Sequence, residues 1–188
     1  KTLRYDRQAL VLIPEISLTP QTEKRFRDRF NVPIVTLHSG LTDKNRLTAW
    51  TSAKTGEARI ILGTRSAVFT PLCQPGLVIV DEEHDQSYKQ HEGFRYSARD
   101  LAVIRARREN ISIILGSATP SIESLNNCAA DRYQHLVLTD RAGKAVQPTW
   151  SIVDLKNEQC EAGIAASTLA KIRPVSYTHL TLPTTPYV

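Results

Sequence analysis

Asp81, Glu82, Glu83 and His84 stand together directly after the apolar run Leu77-Val78-Ile79-Val80. Residues of these types at such a place can work on phosphates. An aspartate at a strand end can hold Mg²⁺ through water, because phosphate-bound Mg²⁺ keeps several waters and needs only one or two carboxylates. A neighbouring glutamate can take the proton of a water that attacks a terminal phosphate. Asp81 and Glu82 are therefore the candidate catalytic pair, and Asp81 is the candidate Mg²⁺ residue. The plain alternative is a solvated loop of four charged residues. A second small-residue turn, Gly116-Ser117-Ala118-Thr119, leaves the apolar run "ISIIL" ahead of Pro120. Its hydroxyls can bond His84 or Glu83 from an adjacent strand; otherwise Thr119 simply caps a helix.

Strands must deliver both turns to one edge. "QALVLIP" (8–14), "PIVTLH" (33–38), "ARIILGT" (58–64), "LVIVD" (77–81), "ISIILGS" (111–117) and "YQHLVLT" (133–139) read as strands, most too continuously apolar to have a wet face. Helical segments alternate with them. Thr19 as N-cap with Pro20 at the first position opens a helix to about Phe30, and Thr42 opens another that ends at Gly56. Ser97 with Asp100 starts a third running towards Arg108, and Pro120 starts a fourth. Strict alternation predicts an α/β fold: a parallel sheet wrapped by crossover helices in three layers. Ligands in such folds bind at the carboxyl ends of strands, which is where the two turns fall. The sequence shows no internal repeat.

The chain has 188 residues, 41% apolar and 23% charged, the composition of an ordinary globular protein rather than a disordered one. A net charge of +5 suits an anionic partner such as nucleic acid without requiring one. Cys73, Cys128 and Cys160 are widely spaced and show no C-x-x-C pairing, so neither a zinc knuckle nor a disulfide framework is indicated, and a reducing cytoplasm is expected. No apolar run approaches the ~20 residues of a membrane span, and "KTLRYDRQ" lacks the apolar region of a signal peptide. With no Met anywhere, the chain is expected to begin inside a longer protein.

D-E-x-H after one strand and S-A-T after the next resemble motifs II and III of superfamily 2 helicases. "VLIPEISLTPQ" (11–21), "LHSGLTDKNRLTAW" (37–50) and "GTRSAVFTP" (63–71) resemble motif Ia, the segment after it and motif Ib. With "DEEHDQSYKQHEGFRYSARDLAVIRA" (81–106) and "ILGSATPSIESL" (114–125), the order and spacing are similar to those of the bacterial replication-restart helicases of the primosomal protein N′ family. The resemblance implies an incomplete RecA-like helicase lobe over residues 1–140, a connection to a second lobe over 141–173, and ATP and Mg²⁺ as cofactors. It implies 3′ to 5′ translocation on DNA, forked and single-stranded DNA as substrate, primosome proteins and single-strand-binding protein as partners, and a bacterial cytoplasmic setting. It also implies that His84, Ser117 and Thr119 couple the nucleotide to the strand. Pro14, Gln21, Gly63, Thr64 and Arg65 would contact DNA, and Tyr88, Phe94 and Arg95 would sense it.

Each of these assignments has a plainer competitor. The aromatics Tyr88, Phe94 and Tyr96 alternate with Lys89, His91, Arg95 and Arg99, which suits bases and phosphates but also suits a loop packed on the domain. Gly63 can merely end a strand, Phe69 can fill the core, and Pro14 and Pro20 can punctuate a turn. A RecG-like translocase, a non-catalytic nucleic-acid-binding module and a metal-dependent phosphohydrolase are the competing functions. No G-x-x-x-x-G-K-S/T run occurs, so the phosphate loop is expected upstream. The second lobe with its arginine finger, and the cysteines that hold zinc in the family, are likewise expected elsewhere. The last stretch, "PVSYTHLTLPTTPYV" (174–188), has four Thr, three Pro and no Lys, Arg, Asp or Glu. It is expected to be non-native or disordered, with a proline-rich linker as the alternative.

Overall fold

A computed structural model describes residues 2–138, 150–157, 160–161 and 163–175. The chain divides into two units, Lys1–His135 and Leu136–Val188. The first is built on a five-stranded sheet, β1 (Gln8–Leu12), β2 (Ile34–Leu37), β3 (Ile60–Gly63), β4 (Pro75–Val80) and, after a short antiparallel hairpin of β5 (Lys89–Gln90) and β6 (Tyr96–Ser97), β7 (Ser112–Leu115). The order across the sheet is β2-β3-β1-β4-β7, and every pairing in it is parallel. The three-layer α/β expectation therefore holds.

The helices connect these strands. Thr19 caps α1 (Pro20–Arg29), accepting from the Thr22 N–H, and Thr42 caps α2 (Asp43–Thr55), which stops at Gly56 in the left-handed region, φ 84°. Glycine pays no steric penalty there, so the helix can end in one residue. Ser97 caps α3 (Ala98–Arg108). The last helix of this unit, α4 (Ile122–Ala129), is capped by Ser121 rather than opened at Pro120. Pro120 instead sits in the turn before the cap.

Alternate residues of β1 explain why helices cover both faces. Leu10 and Leu12 join one cluster with Ala49 and Ala53 of α2 and Ala98, Ala102 and Ala106 of α3. Val11 joins the other with Ile34, Ile60 and Leu62, against which Phe26 of α1 packs. The alanines recur at i, i+4, presenting a flat small-residue stripe that brings each helix close to the sheet. Within β1, buried Gln8 is the polar residue: its Nε2 donates to Ala53 O and Ala58 O at 2.8 and 2.6 Å, and its Oε1 accepts the Gln74 N–H at 3.0 Å. All of its main polar capacity is used, as burial demands.

Two strand expectations need correction. β7 lies at the sheet edge and its residues alternate between exposed and half-buried, so it is not sandwiched on both sides. Residues 133–138 carry no strand, although the run is apolar; Leu136, Val137 and Leu138 are largely exposed, and Thr139 lies outside the described residues. In the second unit the described residues form a 3-10 turn (Leu155–Asn157), a two-residue antiparallel pair β8 (Cys160–Glu161) and β9 (Ile164–Ala165), and α5 (Ala166–Val175). The expectation for the 174–188 tail falls almost wholly outside the described residues. No described helix is long and apolar enough to cross a membrane.

Candidate functional site

The parallel ladder runs on past the strands and fixes the two turns against each other. Asp81 N–H donates to Leu12 O at 2.9 Å, Gly116 N–H to Val80 O at 2.8 Å and Glu83 N–H to Gly116 O at 2.9 Å. The acidic turn after β4 and the Ser-Ala-Thr turn after β7 are thereby held side by side at the carboxyl edge of the sheet. His84 closes the arrangement: its Nδ1 lies 2.7 Å from Ser117 Oγ and its Nε2 3.4 Å from Thr119 Oγ1. Ser117 Oγ also accepts the Thr119 N–H at 3.0 Å, so the hydroxyl is aimed by its own turn.

Asp81 and Glu82 face outward from this frame. Asp81 is exposed, and among the described residues its carboxylate takes one local hydrogen bond, from the Glu82 N–H at 3.2 Å. Glu82 adopts φ 45°, a left-handed conformation that costs a side chain such as glutamate free energy and that functional sites tolerate. Its Oε2 lies 3.6 Å from His84 Nδ1, with both side chains partly open to solvent. An open carboxylate on the strand end, with a second beside it, fits a hydrated Mg²⁺ carried on phosphates, which needs no cage of protein ligands. No group of three His, Cys, Asp or Glu able to hold a metal by themselves occurs among the described residues.

Glu83 points the other way and does something the sequence did not disclose. Its side chain is 1% exposed and pairs with Arg99 Nη1 at 3.1 Å. It also accepts from the Ser121 N–H at 2.6 Å and the Ser121 hydroxyl at 3.1 Å, while Arg99 donates to Ser121 Oγ at 2.9 Å. One buried carboxylate thus ties the acidic turn to the first turn of α3 and to the cap of α4. Burial by itself would raise the Glu83 pKa, but the hydrogen bonds from Ser121, Ser124 and Arg99 outweigh it and hold the carboxyl below its ordinary range. Arg99, read from the sequence as a phosphate-facing cation, is committed to this pair. The missed signal was its place two residues after the Ser97 cap, where a long side chain can reach back over the helix start.

The candidate DNA-contacting residues divide sharply. Gln21, Phe94 and Arg95 are exposed. Pro14, Gly63 and Tyr88 are buried. Pro14 is fully covered, and its carbonyl accepts the Ser17 and Leu18 N–H groups. Gly63 ends β3, and a Cβ there would stand 2.2 Å from the Ala67 Cβ and 3.0 Å from Leu37 O; it is glycine because the chain passes too closely for anything larger. Tyr88 is 1% exposed, its hydroxyl 2.6 Å from Asp81 O and 3.0 Å from Leu12 O. Burial first, then the negative charge of Asp81, push the phenol far above its ordinary pKa. Tyr88 is a strut under the acidic turn, not a stacking platform. Thr64 is only 6% exposed. Half-buried Arg65 donates to Ser87 O and Lys89 O at 3.1 and 3.0 Å, so its guanidinium clamps the base of the hairpin instead of reaching outward.

The DEAD/DEAH box helicase family model matches residues 1–128 of the chain, more than half of it. The chain belongs to the DEAD/DEAH box helicase family. It is 50% identical over 171 residues to the replication restart protein PriA of Haemophilus influenzae, an alignment covering 91% of this chain and 23% of that protein. It is 41% identical over 158 residues to PriA of Bacillus subtilis, covering 84% of this chain and 20% of the relative. The chain thus spans about a fifth to a quarter of the length of these relatives. An alignment that takes in 91% of the chain necessarily includes both strand-end turns. A solved structure of RecG bound to a three-way DNA junction superposes with a TM-score of 0.44 at 20% identity, over 64% of this chain and 15% of that one, a likeness too distant to bear on the fold or the function.

Proposed function

We propose that this chain supplies the acidic edge of the ATP site, and part of the DNA-facing surface, in a replication-restart helicase that moves 3′ to 5′ on single-stranded DNA. The family membership speaks for ATP and a divalent metal in general, and the 50% identity to PriA favours that type over a RecG-like translocase. Forked DNA, primosome proteins and single-strand-binding protein as partners, zinc on cysteines elsewhere in the parent, and a bacterial cytoplasm are part of the same proposal, which the likeness to PriA supports. One observation carries the reading: Asp81 and Glu82 open outward beside a His84 that is joined to Ser117 and Thr119 on the neighbouring strand end.

Each residue then has a defined task. Asp81 holds water around Mg²⁺ on the bound nucleotide, whose phosphates supply the bond to be broken. Glu82, partly open to solvent beside His84, accepts a proton from the attacking water. His84 reports the state of that corner to Ser117 and Thr119, and so to α4. In the reading proposed here the phosphates themselves rest on a loop outside this sequence, which contains no G-x-x-x-x-G-K-S/T run.

The test is a full-length PriA carrying these residues with Ser117→Ala and Thr119→Ala together. Single-strand-stimulated ATP hydrolysis should persist while unwinding of a forked duplex falls at least tenfold. Unwinding at the parental rate per ATP would show that the hydroxyl link transmits nothing.

A further inference from the structure

Glu82 sits where two backbone anchors pull in opposite directions. The Asp81 N–H donates to Leu12 O on β1, and the Glu83 N–H donates to Gly116 O just past β7, on the other side of β4. In an extended strand, residues two apart turn the same way, so Asp81 and Glu83 can face opposite neighbours only if the chain rolls over between them. Glu82 absorbs that roll with φ 45°, a conformation that a glutamate keeps only where its surroundings over-determine it. The Glu83 side chain supplies the constraint. It is 1% exposed; its Oε1 accepts the Ser121 N–H at 2.6 Å, and its Oε2 accepts the Ser121 hydroxyl and Arg99 Nη1 at 3.1 Å each. Ser121 caps α4 and Arg99 lies in the first turn of α3, so the anchor is fixed to two helices and not to its own turn. With Asp81 tied to β1 and Glu83 tied to those helices, the Glu82 backbone cannot relax. Its side chain leaves the turn outward, 44% exposed, with Oε2 3.6 Å from His84 Nδ1.

We propose that Glu83 is a positioning residue for hydrolysis: anchored by Ser121 and Arg99, it holds Glu82 in the left-handed conformation that aims its carboxylate at the attacking water. This rests on the reading of Glu82 as the base and adds what keeps that carboxylate in place. Glu83 is too deeply covered to meet a substrate and acts only through its neighbour. Misplacing a reacting group by about 1 Å costs on the order of 10²-fold in rate, so a residue that never touches the nucleotide can still govern turnover.

Glu83→Gln tests the role. The amide keeps the size and an acceptor for the Ser121 N–H, but turns its NH₂ towards the Arg99 N–H, two donors with no acceptor between them. Arg99 keeps Asp100 at 2.8 Å, so the cation is not stranded. In a full-length PriA carrying these residues, at saturating single-stranded DNA, Glu83→Gln should lower kcat roughly 10- to 100-fold while KM for ATP stays within a few-fold. Added to Glu82→Gln it should cost less than about twofold more, because the two residues act as one unit. Stability gives a readout without nucleotide. In the 188-residue chain, Glu82→Gly should raise the thermal midpoint by roughly 2–5 °C, and by less than about half as much once Glu83→Gln has released the turn. Arg99→Lys replaces the planar fork with a single ammonium; it should lower kcat in the same direction and carries both readouts should Glu83→Gln fail to fold. Parental kcat in a folded Glu83→Gln, its full loss repeated on top of Glu82→Gln, or an equal gain from Glu82→Gly in both backgrounds would each overturn the positioning role while leaving Glu82 as the base. Normal turnover by Glu82→Gln would overturn the reading of the site itself, and this inference with it.

Discussion

Arg99→Ala should be among the most destabilising single changes in this chain, and its cost should depend on pH in a definite direction. The Glu83 and Arg99 side chains are 1% and 13% exposed, so removing the cation strands a carboxylate in the interior. Breaking a buried pair from one side costs about 3–5 kcal/mol. Ser121 still donates its N–H and hydroxyl to Glu83, which places the expected loss near the lower end, about 3 kcal/mol. For a unit of this size that lowers the thermal midpoint by roughly 10–15 °C. Because the Glu83 carboxyl is held below its ordinary value in the folded state, its contribution is fully present above the unfolded glutamate pKa of about 4.3 and is lost as pH falls through the lowered folded value. The gap between parent and variant should therefore be full at about pH 7 and narrow in acid, as Glu83 becomes protonated in both. Urea unfolding followed by circular dichroism across that range measures it. A gap below about 1 kcal/mol at neutral pH, or one that stays constant into acid, would refute the clamp.

Two further outcomes follow from the same edge. Tyr88→Phe should lower stability by about 1–3 kcal/mol, since it removes the hydroxyl that donates to the buried Leu12 carbonyl at 3.0 Å and to the Asp81 carbonyl at 2.6 Å; an unchanged urea midpoint would show that the phenol holds nothing up. Glu82→Gly should raise stability by about 0.5–1 kcal/mol, because φ 45° is free of strain only for glycine, so thermal unfolding should shift upward even as the candidate base is removed. A fall would mean that Glu82 is held in place by contacts worth more than its strain.

The sheet and its helices were legible because period and capping are local signals. Thr19, Thr42 and Ser97 cap as expected, and five of the six expected strands form. The sixth failed because apolar character at 133–138 does not reveal whether a neighbouring strand waits to pair with it. At the site, the facing of His84 and Ser117 was readable, since strand ends at known positions in a parallel sheet must meet. Which side chains turn inward was not. Tyr88 and Phe94 are both aromatics in one loop, yet Tyr88 is a buried strut and Phe94 lies open. Arg65 and Arg105 look like surface cations in the sequence and instead spend their guanidinium groups on backbone carbonyls. Phe69 shows the converse: the plainer reading of its segment put it in the core, and it is 55% exposed.

The most direct test of the account is ATP turnover by a full-length PriA carrying these residues, compared with its Glu82→Gln variant at saturating single-stranded DNA. The amide keeps the shape of Glu82 but cannot take a proton, so kcat should fall by at least 10²-fold, as expected for loss of a general base, while equilibrium binding of ATP with Mg²⁺ stays within a few-fold of the parent. Normal hydrolysis by Glu82→Gln, with Glu83→Gln inactive although folded, would contradict it and move the chemistry to the neighbouring carboxylate.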